Sequence, residues 1–141
     1  MSVAKRQSLK VDLKSCVGCR ACTLACAVTH EGRAEFYRAR IRIEKHLPGM
    51  QVPVFKPLVC RMCRNARCID VCSTGALNED PETGLVVLNA ELCNGCGNCV
   101  EACPFHAIWV DEQAGLAVKC DLCGGQPACV TACSTGALRY D

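Results

Sequence analysis

The chain has 141 residues, 16 of them cysteine, and a formal net charge of +2. Only 4% of the residues are aromatic, so the composition excludes an ordinary core of large side chains and favours a fold held by disulfides or metal. Nine of the 16 lysines and arginines lie in residues 33–67. No recognition motif or aromatic platform accompanies this basic stretch, so nucleic-acid binding is not expected.

Disulfides are a common use of so many cysteines, and they belong mainly to secreted proteins. Met1–Lys10 carries no apolar signal segment, and no apolar run approaches the roughly 18 residues of a membrane-spanning helix. The cysteines also cluster too tightly in sequence for near neighbours to bridge each other. We therefore expect bound metal and a cytoplasmic location without a membrane span, while export alongside a signal-bearing partner stays open.

The cysteines fall into four groups of four, which we call tetrads one to four. Tetrads one and three have the spacing C-x2-C-x2-C-x3-C, whereas tetrads two and four have four and five residues before their third cysteine. In chain order, the members are Cys16, Cys19, Cys22 and Cys26; Cys60, Cys63, Cys68 and Cys72; Cys93, Cys96, Cys99 and Cys103; and Cys120, Cys123, Cys129 and Cys133.

Tetrad three, with Pro104 after it, matches the bacterial ferredoxin run C-x2-C-x2-C-x3-C-P. In that run three cysteines bind one [4Fe–4S] cluster and the fourth binds the neighbouring cluster. Four tetrads therefore predict four clusters in two pairs, and the spacing alone allows pairing in series or pairing of tetrad one with tetrad four. A four-cysteine zinc site is the competing interpretation, yet zinc gives no reason for C-x3-C to follow every C-x2-C so closely.

Short strands are predicted around the tetrads, and residues 73–77 and 134–138 repeat the sequence STGAL directly after a tetrad. The predicted strands are Leu9–Asp12, Ile41–Lys45, Val52–Phe55, Ala76–Asn78, Leu85–Asn89, Ala107–Asp111, Leu116–Lys119 and Ala137–Tyr140. Each internal strand has a neighbour across a turn, such as residues 47–49 or 112–115. The first and last strands have none, so we expect them to pair with each other.

The sequence VKCDLC at residues 118–123, followed by PACVTAC at 127–133, closely resembles the fourth motif of a family of four-cluster electron-transfer subunits. These subunits accompany molybdenum and tungsten oxidoreductases (dimethyl sulfoxide reductase type, formate dehydrogenase, tungsten aldehyde oxidoreductase) and carbon monoxide dehydrogenase. The resemblance covers nearly the whole chain, with all 16 ligand positions occupied. Ser73 and Ser134 stand where many relatives have proline, a departure that leaves the ligands unaffected.

The resemblance implies an α+β fold of two bacterial-ferredoxin-like units, built from short antiparallel hairpins and short helices, with nested connectivity. Residues 1–32 and 112–141 would form the first unit, 33–59 an insertion and 60–111 the second unit. The implied ligands of the four clusters are Cys16, Cys19, Cys22 and Cys133; Cys60, Cys63, Cys68 and Cys103; Cys93, Cys96, Cys99 and Cys72; and Cys120, Cys123, Cys129 and Cys26.

By the same resemblance, the chain is a non-catalytic subunit that relays single electrons between a large catalytic subunit and an acceptor. The implied catalytic partner is of the tungsten, molybdenum or nickel-iron type. We expect tungsten aldehyde oxidoreductase first, because the sequence is compact and shows no anchor or export signal, and carbon monoxide dehydrogenase, formate dehydrogenase or hydrogenase next. The acceptor would be a flavin subunit or a ferredoxin, and a higher-order assembly stays open. The alternatives are a free polyferredoxin that serves several enzymes and a zinc-binding structural module.

The basic stretch allows two interpretations: docking of an acidic partner, or neutralisation of cluster charge with an effect on reduction potentials. The candidate docking residues are Arg38, Arg40, Arg42 and Lys45. No catalytic set of side chains is evident in the sequence, and the three histidines are expected to be structural or surface groups.

Overall fold

The computed structural model describes residues 7–47, 49 and 52–141, which form short strands and short helices in an α+β arrangement. The strands are β1 (Leu9–Val11), β2 (Arg42–His46), β3 (Val54–Leu58), β4 (Leu77–Glu79), β5 (Val86–Leu88), β6 (Trp109–Asp111), β7 (Leu116–Val118) and β8 (Leu138–Tyr140). The α-helices are α1 (Ala21–Glu31), α2 (Arg67–Asp70), α3 (Asn98–Ala102) and α4 (Ala128–Ala132).

The first and last strands pair with each other. β1 and β8 form an antiparallel ladder in which Leu9 faces Tyr140 and Val11 faces Leu138, and α1 packs against α4. Leu9 and Leu138 are almost fully buried, so this ladder contributes to the core. The predicted pairing of the two terminal strands is confirmed.

Two further hairpins accompany tetrads two and three, as the sequence predicts. β4 pairs with β5 and β6 pairs with β7, both antiparallel, and α2 packs against α3. The carbonyl oxygens of Asp80 and Asp111 close the connecting turns by accepting hydrogen bonds of 2.7 Å from Gly84 and Gly115. Both glycines have positive φ (72° and 68°), which glycine adopts without steric cost.

The insertion between tetrads one and two forms a fourth hairpin, β2–β3. The sequence predicts an end of the second strand before Pro57, and this prediction is wrong. The strand runs to Leu58, and Pro57 faces Ile43 across the ladder. A two-stranded sheet consists of edge strands only, where proline can lie without breaking a ladder. Residues 1–6 of the predicted first unit and Pro48 of the predicted turn lie outside the described residues.

The core combines a few aliphatic side chains with thiols. The largest fully buried side chains are Leu9, Ile41, Leu122, Val59, Val86 and Pro57. Six cysteines are also buried, namely Cys22, Cys26, Cys60, Cys99, Cys120 and Cys129. Isolated two-stranded ladders are marginal in water, so the fold depends on what the cysteines bind. None of the helices in the described part of the chain has the length and apolar character that a membrane crossing requires.

Candidate metal centres

Two cavities are each lined by four cysteines from distant parts of the chain. The first cavity joins the start of tetrad one to the last cysteine of tetrad four, and we call its cysteines set A: Cys16, Cys19, Cys22 and Cys133. The second joins tetrad three to the last cysteine of tetrad two, and we call its cysteines set D: Cys72, Cys93, Cys96 and Cys99. In both sets, the cysteine that comes from the other tetrad is the last cysteine of that tetrad, which follows the three-residue spacing.

A third group, set B, consists of Cys26 on α1 with Cys120, Cys123 and Cys129 of tetrad four. Burial raises the pKa of Cys129 to about 12, and the nearby charges of Cys120, Cys26 and Cys123 add to that rise. Burial likewise raises the pKa of Cys26, with a further contribution from Cys123. These effects place the four thiols within electrostatic reach of one another, and Cys22 of set A also contributes to the rise at Cys129.

A fourth group, set C, brings Cys60, Cys68 and Cys103 near one another, and we assign Cys63 to it from its place in tetrad two. Burial raises the pKa of Cys68 to about 11, and the charges of Cys60 and Cys103 raise it further. Cys63 follows Cys60 by three residues in the same loop and packs against the core.

The four sets form two neighbouring pairs that also meet each other. Helix α1 carries cysteines of sets A and B, and it packs against α4, which carries a cysteine of set B. Helix α2 carries a cysteine of set C, and it packs against α3, which carries a cysteine of set D. The charge of Cys60 in set C raises the pKa of Cys120 in set B, although burial is the larger cause. Sets B and C are therefore near each other, so these contacts link set A to B, B to C and C to D.

Backbone N–H groups point at several thiols. The nitrogen–sulfur distances are 3.1 Å from Arg40 to Cys26, 3.3 Å from Leu122 to Cys120, 3.4 Å from Ala117 to Cys93 and 3.5 Å from Ala107 to Cys103. Hydrogen bonds of this kind favour the thiolate over the thiol. These hydrogen bonds occur in sets B, C and D. There they would stabilise thiolate ligands at a buried metal centre.

Two of the most buried thiols require a metal in order to ionise at neutral pH. Burial raises the pKa of Cys120 to about 12, so at neutral pH this thiol carries a proton that an incoming metal must displace. The same holds for Cys129, whose pKa burial also raises to about 12. Four sulfur donors per set is the ligand count of a [4Fe–4S] cluster, so the residues fit that group.

The β2–β3 hairpin covers set A. Ile43 and Pro57 line the set A cavity. The ring of Phe55 lies directly against Gly18, in the loop between Cys16 and Cys19, and leaves no space for a Cβ there. The insertion therefore shields one side of this metal centre from water.

The four candidate docking residues have different surroundings. Arg38 pairs with Glu35 and Asp111 at 3.2 Å each, so its charge is largely neutralised within the chain. The guanidinium of Arg42 lies 4.9 Å from the ring centre of Trp109. Lys45 is exposed, and Arg40 is half-buried with its backbone N–H on Cys26.

His30 lies closer to a metal centre than the sequence indicates. Its Nδ1 lies 3.0 Å from the carbonyl oxygen and 3.6 Å from the Sγ of Cys26, and its Nε2 lies 3.0 Å from Asp121 Oδ1. Spacing i, i+4 on a helix could have indicated the contact with Cys26. The contact with Asp121 joins residues 91 positions apart, and no local pattern indicates it.

Gly95→Ala is expected to lower the melting temperature of the metal-loaded protein more than Gly97→Ala does. Both glycines have positive φ (71° and 80°), so alanine destabilises either position by about 1–2 kcal/mol. At Gly95 the added Cβ would lie 2.5 Å from the backbone oxygen of Gly115, whereas at Gly97 it meets nothing within 4 Å. We expect a further loss of about 1–3 kcal/mol at Gly95. Equal melting temperatures would contradict this close approach.

Two segments of the chain match families of iron–sulfur proteins. Residues 51–141 match the 4Fe-4S dicluster domain, and residues 13–29 match the 4Fe-4S binding domain. The first match covers more than half of the chain and includes tetrads two, three and four. The second covers tetrad one.

Several known proteins are similar to this chain over most of their own length. The thiosulfate reductase electron transfer subunit of Salmonella typhi is 40% identical, over 92% of this chain and 72% of that protein. The polyferredoxin-like subunit of the aliphatic sulfonate oxidoreductase of Pyrococcus furiosus is also 40% identical, over 93% and 73%. A component of the polysulfide reductase of Wolinella succinogenes is 35% identical, over 98% and 77%.

A solved structure shares the fold. It is the active site complex BamBC of benzoyl coenzyme A reductase with benzoyl-CoA, with a TM-score of 0.54 over 96% of this chain and 78% of that chain. At 24% sequence identity, this likeness shows the fold alone.

Proposed function

Because this protein belongs to the 4Fe-4S dicluster family, we propose that it is a non-catalytic subunit that carries electrons between the catalytic subunit of an oxidoreductase complex and an acceptor. The observation that carries this proposal is the convergence of cysteines from all four tetrads into sets of four. Such sets suit one-electron carriers rather than a substrate-binding centre.

We propose that each of sets A, B, C and D holds one [4Fe–4S] cluster, four in total. Bound there, the clusters would supply one-electron transfer. The chain supplies the thiolates, the burial and the N–H···S hydrogen bonds that set each reduction potential. The cavities of sets A and D support this assignment most directly, because each is lined by all four cysteines of its set.

The order of the sets supports a linear relay. All 16 cysteines lie within the described residues, and among them Cys19 of set A and Cys96 of set D are exposed. Sets B and C lie between these two ends and contain no exposed cysteine. We propose that electrons enter at one end of the series A, B, C, D and leave at the other.

The candidates for the catalytic partner are of two kinds. Within the family that the sequence resembles, a tungsten aldehyde oxidoreductase is the first candidate, with carbon monoxide dehydrogenase, formate dehydrogenase or hydrogenase next. Three relatives are named for oxidoreductases of sulfur compounds, which favours a partner that acts on thiosulfate, polysulfide or a sulfonate. Metal analysis of the native complex separates tungsten from molybdenum, and assays with an aldehyde and with these sulfur compounds separate the substrates.

Anaerobic purification of the native protein tests the function. We expect about 16 iron atoms and about 16 sulfides per chain, broad visible absorption that bleaches on reduction, and co-elution with a larger subunit. Zinc without iron would establish a structural module instead. Elution as a monomer loaded with iron would establish a free polyferredoxin.

Replacing both Arg42 and Lys45 with glutamine is expected to weaken binding of the catalytic subunit about threefold to tenfold at low salt and less at high salt. Both residues are exposed on β2 of the insertion hairpin, on which Ile43 lines the set A cavity. Calorimetric titration at two salt concentrations measures the effect. Arg139→Gln on the exposed side of β8 serves as the control, and equal affinities for all variants would exclude docking through this hairpin.

A further inference from the structure

Lys119 is a buried lysine at the boundary between sets B and C. Its side chain is only 4% exposed. The Nζ donates hydrogen bonds to the carbonyl oxygens of Val86 at 2.8 Å and Cys120 at 2.7 Å. Val86 lies on β5 beside tetrad two, and Cys120 belongs to set B, so Lys119 joins the two halves of the fold.

No carboxylate in the described part of the chain neutralises this lysine. Within the described residues, the aspartates and glutamates that form ion pairs do so with Arg33, Arg38 and the histidines, and none lies at ion-pair distance from Lys119. Two carbonyl oxygens satisfy its hydrogen bonds but do not balance its charge. Burial of an uncompensated charge is strongly unfavourable, so a negative group beside Lys119 in the holoprotein would stabilise the fold.

Cysteines of two candidate metal centres lie near Lys119. Lys119 directly precedes Cys120 of set B. On its other side, Nζ lies 3.9 Å from the Sδ of Met62, which lies 4.0 Å from the Sγ of Cys60 in set C. Burial raises the pKa of Cys68 and of Cys120, and the charge of Lys119 opposes that rise at both thiols. Lys119 is therefore within electrostatic reach of both sets.

We propose that Lys119 is the shared counter-charge of the centres at sets B and C and raises the reduction potential of both. This inference rests on the proposed function. Four thiolates around an oxidised [4Fe–4S] core leave about two negative charges, and uptake of an electron adds one more. A nearby positive charge attracts the reduced form more strongly, so it favours the electron at the two middle positions of the relay over the two ends.

The test compares Lys119→Gln with Lys119→Arg in the full chain, reconstituted anaerobically with iron and sulfide. Glutamine keeps an N–H donor for the two carbonyl oxygens and removes the charge, whereas arginine keeps the charge. Potentiometric titration followed by electron paramagnetic resonance gives the midpoint potentials. We expect two of the midpoints to fall in Lys119→Gln and all to stay near the wild-type values in Lys119→Arg. Lys10→Gln, an exposed lysine on β1, is the matched control and should shift none.

Unchanged midpoints in Lys119→Gln, at the iron content of the wild type, overturn the inference. An equal shift in Lys119→Arg also overturns it, because packing rather than charge would then be the cause. If Lys119→Gln loses iron that Lys119→Arg retains, the counter-charge is supported, and loss of iron from both variants counts against it. A wild-type protein that binds no iron would contradict the proposed function instead.

Discussion

Replacing Cys16 and Cys133 together with serine is expected to remove about one cluster, or about 4 of 16 iron atoms, the same loss as either single substitution. Both thiols line the set A cavity although 116 intervening residues separate them in sequence. Once one thiol is gone, the site is already incomplete, so loss of the second removes nothing further. Iron analysis of the two single variants and the double variant measures this non-additivity.

The matched control is a double variant in which Cys133 and Cys93 are both replaced with serine. In the nested arrangement these belong to different sets, so the double variant is expected to lose about two clusters, or about 8 iron atoms. If adjacent tetrads paired instead, Cys93 and Cys133 would hold the same cluster. The variant that lacks both would then lose about one cluster, and the variant that lacks Cys16 and Cys133 would lose about two. The two double variants therefore distinguish the nested arrangement from the serial one without knowledge of the partner enzyme.

Removal of the metal is expected to unfold most of the chain. The β1–β8, β4–β5 and β6–β7 ladders pair only three residues each, and six of the buried core residues are cysteines. Because metal binding supplies folding free energy in such small proteins, chelation should abolish amide-exchange protection in β1 and β8. Hydrogen exchange and far-ultraviolet circular dichroism before and after anaerobic chelation measure the change.

The β2–β3 hairpin is the internal control for that experiment. It pairs five residues on each strand, from Arg42 opposite Leu58 to His46 opposite Val54, and it contains no cysteine. We expect its protection to decline less abruptly than that of the β1–β8 ladder. An apoprotein that keeps full protection at Leu9 and Leu138 would show that the aliphatic core alone is sufficient.

Much of the fold was predictable because its determinants are local. The hairpins follow from strand residues on either side of turns rich in aspartate and glycine, such as Asp80 to Gly84. The pairing of β1 with β8 could be predicted by elimination, because neither strand has a local partner in the sequence. The tetrads fixed the candidate ligands, because spacing determines which thiols one loop can present.

The features that escaped prediction depend on contacts between distant residues. Arg38 meets Asp111 across 73 positions, which removes it from the exposed basic surface. His30 meets Asp121, and Lys119 meets Val86, through side chains whose partners no sequence period indicates. The continuation of β3 through Pro57 depends on the strand having a single neighbour, which only the folded hairpin reveals.

The pairing of β1 with β8 also constrains the order of biosynthesis. β1 lies at the start of the described residues, and its partner strand, Leu138–Tyr140, is among the last of them to leave the ribosome. Residues 60–118 contain both middle hairpins and helices α2 and α3, so this segment can collapse while translation is still under way. If set A holds one cluster as proposed, the Cys16–Cys22 loop must wait for Cys133, and during that interval its thiols are open to oxygen and to adventitious metals.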